Sequence, residues 1–247
     1  MDTNNVRRQL IDELTKLLVP ERLAAMQRVL ANRTRYITVA VENVFQSQNA
    51  SAILRTCDCL GIQNINIIER YNTYRVNPEI AMGSDQWLTV NKYPNSSDVC
   101  QRAIADLRSS GYRIVATTPH QGDISLPDFD LTKGSVAIFL GTELQGLTND
   151  VLDNADEFLR IPMYGFTESF NVSVSAAIVL YNLVERLHLS DIEWQLSPAD
   201  YDEVLLSWLL RTIKRSEQVV KRICCSMGIC ADPFILPPTD VVFDHRY

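Results

Sequence analysis

The sequence predicts an α/β domain built on a parallel sheet and flanked by helical extensions at both ends. Three observations predict it. From residue 36 onward, apolar β-rich runs alternate with helical segments. Those runs are continuously apolar, as in parallel strands covered on both faces. Amphipathic helical stretches precede and follow this region. With 247 residues, 46 % of them hydrophobic, the chain suffices for one sizeable domain with appendages.

The elements follow in order. The first stretch, "VRRQLIDELTKLLVPERLAAMQRVLANR", reads as a helix, an interruption at Pro20, and a second helix whose Leu23, Met26 and Leu30 share a face. The βαβ rhythm then begins with "YITVAV" at 36–41. The helix of "NASAILRTCDCLGI" comes next, with Asn49 able to cap it and Gly61 closing it. "INII" at 65–68, a helix near 98–110 and "YRIVAT" at 112–117 complete a first set. A second set contains "SVAIFLG" at 135–141, a short helix near 148–154, "EFLRIP" at 157–162 and a long helix from about 172 to 188. Beyond it, "PADYDEVLLSWLLRTIKRSEQVVKRICC" reads as one amphipathic helix capped by Ser197 with Pro198 in its first turn. Its Arg211, Lys214, Arg215, Lys221 and Arg222 fall at spacings that allow one basic stripe. A loose tail is expected from Asp232. The organisation is therefore 1–35, 36–190 and 191–247.

The net charge of −7 conceals an uneven distribution. Residues 1–35 carry seven Lys/Arg against four Asp/Glu, and 204–222 carry five against one, while the middle, 36–203, carries ten against twenty-two. Two basic flanks beside an acidic body are compatible with a polyanionic partner touched only by the flanks. The six cysteines show no paired CxxC spacing and His120, His188 and His245 are isolated, so no metal site is expected. No apolar run reaches eighteen residues and the N-terminus lacks the apolar stretch of a secretory signal. A cytoplasmic protein without membrane contact is expected, its cysteines reduced.

Open parallel sheets bind ligands beyond the carboxyl ends of their strands, and three loops there concentrate polar residues. One is "FQSQNASAILR", with Asn49 and Arg55. Another is "GTELQGL", where Gly141 ends a strand and Glu143 projects past it. The third is "PMYGFTESFNVSVSAA", with Ser169 and Asn171 before a helix. Singly, each residue has a plain structural role: Asn49, Ser169 and Asn171 as helix caps, Glu143 as a charge near a helix start, Arg55 as a partner for Asp58. Jointly they converge on one sheet edge, with glycines that let backbone approach a ligand. Neither GxGxxG nor GxxxxGK[ST] occurs, which disfavours a dinucleotide or ATP site and a nicotinamide-dependent oxidoreductase.

"NASAILRTCDCLGI", "IFLGTELQGL" and "IPMYGFTESFNVSVSAAIVL" resemble the three successive motifs of the SPOUT family of RNA ribose 2′-O-methyltransferases, over about residues 36–190. The helical arm and the basic C-terminal helix most resemble the tRNA (guanosine-18-2′-O)-methyltransferases. The resemblance implies a SPOUT-type parallel sheet whose C-terminal segment is tied as a trefoil knot, an exception to the usual avoidance of knots. It also implies that the loops around Thr117, Gly141, Ile161 and Phe170 hold S-adenosylmethionine. A homodimer is implied too, with the first-motif helix and the 172–188 helix at the interface and Arg55 facing the partner's cofactor. Two positions depart from the common pattern: Ser47-Gln48 stands where a Pro-His pair is usual, and Phe170 where Leu is usual.

On this reading the chemistry is methyl transfer to a ribose 2′-hydroxyl of tRNA, most like guanosine-18 of the D-loop. Arg55 stays charged, clamps the neighbouring phosphate and stabilises developing alkoxide character. Asn49 orients Arg55 or the ribose, Asn171 and Ser169 fix their loop, and Glu143 anchors the active-site loops. Arg7, Arg8, Arg22, Arg28, Arg33, Arg211, Lys214 and Arg215 are the expected phosphate contacts. Two alternatives are the same chemistry on 23S ribosomal RNA and a non-catalytic RNA-binding scaffold.

Overall fold

The computed structural model describes residues 3–44, 46–120, 123–143, 145–231, 234 and 242–243. The chain divides into two compact units, one formed by Met1–Arg33 with Gln195–Thr239 and the other by Thr34–Trp194 with Asp240–Tyr247.

The helical unit begins with α1 (Thr3–Thr15) and α2 (Pro20–Leu30). Pro20 occupies the first turn of α2, where its missing N–H has no intrahelical acceptor to lose. Met26 and Leu30 are buried, as their shared face requires.

The second unit contains β1 (Ile37–Glu42), α3 (Ser47–Cys59), β2 (Asn64–Ile68), β3 (Arg75–Val76), α4 (Pro78–Ala81), β4 (Thr89–Tyr93), α5 (Val99–Ser109), β5 (Arg113–Thr117), β6 (Ile124–Ser125), β7 (Val136–Leu140), α6 (Asn149–Leu152), β8 (Glu157–Arg160) and α7 (Val172–His188). Seven strands form one sheet in the order β4-β2-β1-β7-β5-β8-β6, every pairing parallel. Alternation along the strands divides the core in two. Ile37, Val39 and Val41 of β1 and Val136, Ile138 and Leu140 of β7 join the cluster that contains α3 and α7. Ala40, Ala137 and Phe139 join the cluster of α5 and α6. Helices on both faces explain why β1 and β7 are buried along their whole length.

Strand β4 breaks the expected pattern. Its residues TVNKY are all half-buried, so it lacks the apolar signature of its neighbours. Instead it is tied by a polar ladder: Asn91 Nδ2 donates to Asn66 Oδ1 at 3.1 Å, and Asn66 Nδ2 donates to Thr38 Oγ1 at 3.0 Å. Of the tail expected from Asp232, Phe234 and β9 (Val242–Phe243) fall among the described residues. The latter pairs in parallel with β3, and the rest lies outside them.

The expected single C-terminal helix is two, α8 (Pro198–Thr212) and α9 (Ser216–Ser226). Ser197 Oγ caps α8 by accepting from the Asp200 N–H at 3.2 Å. Between the helices Ile213 is extended and Arg215 takes φ 56°, left-handed backbone that costs a non-glycine residue energy. The basic residues thus lie on two helices and a corner rather than on one continuous stripe. Among the described residues no helix is long and apolar enough to cross a membrane.

Candidate active site

The carboxyl ends of β1, β7, β5 and β8, four consecutive strands of the sheet, carry the loops that the sequence singled out. Beyond them lies a cleft of about 430 Å³. Thr117, Gly141, Ile161 and Phe170 all line it, as do Glu143 and Ser169. Leu140, Leu159, Val172 and Val179 supply an apolar wall.

Gly141 is where it is for a steric reason. A Cβ there would sit 2.2 Å from the Gly146 carbonyl carbon and 2.4 Å from the Leu147 nitrogen. The loop folds back this tightly because Thr142 and Gly146 exchange two backbone hydrogen bonds, each 3.0 Å. Gly146 itself has φ 67°. The far end of the loop is held by the buried carboxylate of Glu42, the last residue of β1. It accepts from the Thr148 N–H at 2.9 Å, from the Thr148 hydroxyl at 2.6 Å and from the Cys100 thiol at 3.1 Å. Burial, and the carboxylate that accepts from it, push the Cys100 thiol up to about 12.

Three residues far apart in the chain meet at Glu143. Asn171 caps α7, its Oδ1 accepting from the Ser173 N–H at 2.9 Å and the Val174 N–H at 3.3 Å. That fixes its amide: Nδ2 must point away, and it donates to Glu143 Oε1 and, at 3.1 Å, to Asn49 Oδ1. The Asn49 amide is fixed in turn, its Nδ2 donating to Glu143 Oε1 at 3.1 Å and to Gln46 Oε1 at 3.2 Å. A relay of set polarity thus runs from the N-terminus of α7 through Asn49 to Gln46, with one carboxylate at its centre. Asn49 is therefore no cap. It lies inside the first turn of α3, 7 % exposed, and its side chain is spent on Glu143.

On the other side of this junction a second cleft, of about 280 Å³, is lined by Asn43, Gln46, Asn49 and Asn72 and shares Thr142, Glu143, Gln145 and Val172 with the first. Sequence reading missed Asn43, Gln46 and Asn72; the polar run "ENVFQ" after a buried strand was the available signal.

Arg55 is exposed on α3 and, among the described residues, makes no hydrogen bond or ion pair and lines neither cleft of its own chain. Ser169 lines the first cleft without joining the relay. Of the basic residues, Arg22, Arg28, Lys214 and Arg215 are exposed, Arg7 and Arg211 half-exposed, and Arg8 is paired with Asp202 at 2.9 Å. Arg33 corrects the expectation. It is 1 % exposed, its guanidinium 5.2 Å from the centre of the Trp208 ring, so it serves the packing of the helical unit and is not available to a phosphate.

Residues 36–181 match the model of the SpoU rRNA Methylase family, well over half of the chain. The protein belongs to the SpoU methylase family. Relatives of this SpoU protein extend past the matched region. It is 42 % identical to a tRNA (guanosine(18)-2′-O)-methyltransferase of Borreliella burgdorferi, over 87 % of this chain and 95 % of that one. A Thermus thermophilus protein of the same name is 32 % identical over 74 % of this chain and 93 % of its own. Among solved structures, the A. aeolicus TrmH/SpoU tRNA modifying enzyme superposes with a TM-score of 0.69 at 29 % identity, covering 78 % of this chain and 98 % of that one. An AdoMet-bound rRNA methyltransferase from Sinorhizobium meliloti superposes with a TM-score of 0.54 at 25 % identity, covering 66 % and 60 %.

Proposed function

We propose that this SpoU-family protein methylates the 2′-hydroxyl of guanosine-18 in tRNA, with S-adenosylmethionine as methyl donor. The observation that carries the reading is the similarity, along 87 % and 74 % of the chain, to two relatives bearing that activity in their name. The residues present fit the cofactor. The apolar wall of Leu140, Leu159, Val172 and Val179 suits an adenine ring, and backbone pressed together at Gly141, where a Cβ has no room, offers peptide groups at close range. When bound, S-adenosylmethionine supplies a methyl group activated by its sulfonium.

Every other contribution belongs to the chain. Asn49 and Asn171 hold the Glu143 carboxylate at the wall between the two clefts, which fixes the loop that closes the first. Thr117, Gly141, Ile161 and Phe170 bind the cofactor, and Ser169 steadies the loop that carries Phe170. Arg55, fully charged, clamps the phosphate beside the target ribose and stabilises negative charge gathering on its 2′ oxygen. In-line positioning supplies the larger share of the acceleration.

The reading includes a cytoplasmic homodimer with a trefoil knot. In support of the knot, the chain leaves β8, next to the sheet's β6 edge, and returns as α7 to pack against α3. In support of the dimer, α7 leaves Val174 and Tyr181 exposed two turns apart, and the loop before it leaves Tyr164 and Phe166 fully exposed. A second copy covering them brings its cofactor cleft to the unengaged Arg55. The helical unit's exposed Arg22, Arg28, Lys214 and Arg215, its half-exposed Arg7 and Arg211, and Arg8 contact tRNA phosphates.

The test is to map the methylated ribose after incubating the protein with total RNA and labelled cofactor, with a tRNA transcript and a 23S rRNA fragment run separately. Label at guanosine-18 of tRNA is expected; label confined to the rRNA fragment refutes the substrate. Arg55→Lys keeps the charge but loses the planar fork, so near-normal cofactor binding with methylation reduced about 100-fold or more is expected. Unchanged turnover refutes the role of Arg55.

A further inference from the structure

Thr117, Gly141, Ile161 and Phe170, proposed to hold the cofactor, all line the first cleft and none lines the second, which shares the Glu143 wall with it. At about 280 Å³ it falls just below the usual range for drug-sized ligands, a size that suits one flat heterocycle. Apart from the Glu143 carboxylate and Thr142, its polar lining consists of amides, and the hydrogen bonds around Asn43, Gln46 and Asn72 decide which end of each of these three is left over.

Asn43 sits at φ 56°, and its Oδ1 accepts from the Tyr71 and Asn72 N–H groups, both at 2.9 Å. Its Nδ2 is left as a donor. Gln46 receives the end of the relay from Asn49 on its Oε1, which leaves its Nε2 likewise a donor. Asn72 spends its Nδ2 on the Asn43 carbonyl at 3.2 Å, leaving its Oδ1 as an acceptor. These three residues therefore bring to the cleft two N–H donors and one carbonyl acceptor whose polarity is set from behind, beside the Glu143 carboxylate. Tyr71, next in the chain to Asn72, is 74 % exposed; the Arg70 guanidinium lies 5.4 Å from the centre of its ring, which leaves the opposite aromatic face on the same loop. Guanine carries the matching groups, with O6 and N7 as acceptors on one edge and N1–H beside them. Unstacked RNA bases are commonly read by amide hydrogen bonds and aromatic stacking together.

Resting on the proposed methylation of a guanosine ribose, we infer that this second cleft receives the base of the target nucleotide, with Asn43 Nδ2 and Gln46 Nε2 donating to its O6/N7 edge. The ribose then lies at the wall that Glu143 and Asn49 share with the cofactor cleft. Neither Asn43 nor Gln46 touches the reacting atoms; both select the nucleotide whose ribose is presented.

The experiment uses the full-length protein, S-adenosylmethionine and tRNA transcripts carrying guanosine, inosine, 7-deazaguanosine or 2-aminopurine riboside at the methylated position. Inosine keeps O6 and N7, whereas 7-deazaguanosine lacks N7 and 2-aminopurine lacks O6. The wild-type protein is expected to lose about 10- to 100-fold in kcat/KM on each of the last two and little on inosine. Asn43→Asp keeps the oxygen that Tyr71 and Asn72 need but turns a carboxylate oxygen to the cleft. A loss of about 10- to 100-fold on guanosine is expected, with S-adenosylmethionine affinity by calorimetry unchanged and the penalty for the analogues reduced. Gln46→Met, at an exposed position, is expected to lose in the same pattern.

Wild-type protein that methylates all four transcripts equally overturns the inference while leaving the proposed activity intact. So do variants that slow all four alike while weakening the cofactor. Wild-type protein that methylates no tRNA overturns both.

Discussion

Asn171 performs two tasks with the two ends of one amide, and a pair of substitutions separates them. Its oxygen caps α7, accepting at 2.9 and 3.3 Å, while its nitrogen reaches Asn49 and Glu143. Serine is as good a cap as asparagine but too short to reach across; alanine does neither. Loss of the cap costs about 1 kcal/mol, which for a chain of this size lowers Tm by about 2–4 °C. Loss of the bond to the Glu143 carboxylate removes an interaction with a charged group, worth about 1.5–3 kcal/mol, or about 10- to 150-fold in rate if it acts at the transition state. Both variants lose that bond, so Asn171→Ser is expected to melt above Asn171→Ala by the cap's share, about 2–4 °C, while both methylate about 10- to 150-fold more slowly by kcat/KM. Thermal denaturation and a methyl-incorporation assay on one tRNA transcript measure the two effects. Wild-type turnover by Asn171→Ser would show that the relay has no part in the reaction, and equal melting of the two variants would show that the cap does not hold α7.

The remaining predictions concern separate parts of the molecule. Gly141→Ala places a methyl within 2.4 Å of backbone at Gly146 and Leu147, so it is expected to destabilise by about 1–3 kcal/mol and to abolish measurable cofactor binding in calorimetry. The Cys100 thiol, raised from 9.0 to about 12, binds a proton in the folded chain that the unfolded chain has lost. Stability is then expected to be unaffected by this group below pH 9 and to fall as pH rises from 9 toward 12, with a shallower fall in Cys100→Ala by denaturant titration. At neutral pH an alkylating reagent is expected to label the exposed Cys59, Cys225 and Cys230 and to spare Cys100 until the protein unfolds. Lys214→Ala and Arg22→Ala are each expected to weaken tRNA binding and to lower the slope of log affinity against log salt by about 1, measured by filter binding.

Much of the fold was legible because its central strands are buried on both faces. The run "VAIFL" admits few other readings, and helix α7 begins and ends where its cap and periodicity put it. What escaped detection lacks such signals. Strand β4 is joined through asparagine amides, which in a lone sequence look like loop chemistry. The break between α8 and α9 occurs at Arg215 without glycine or proline, so nothing local announces it. Asn49 read equally as a cap and as a site residue, and only Glu143, 94 positions away, decides between them. Arg33 looked like surface charge because the Trp208 beneath it is remote in the chain.

The junction at the sheet edge draws on segments separated by 94, 28 and 122 positions, and its orientation originates at the start of the last helix of its unit. No fragment lacking that helix can set the amides, however well its strands pair. During synthesis this junction can therefore assemble only once the chain has grown into its last third, where that helix begins.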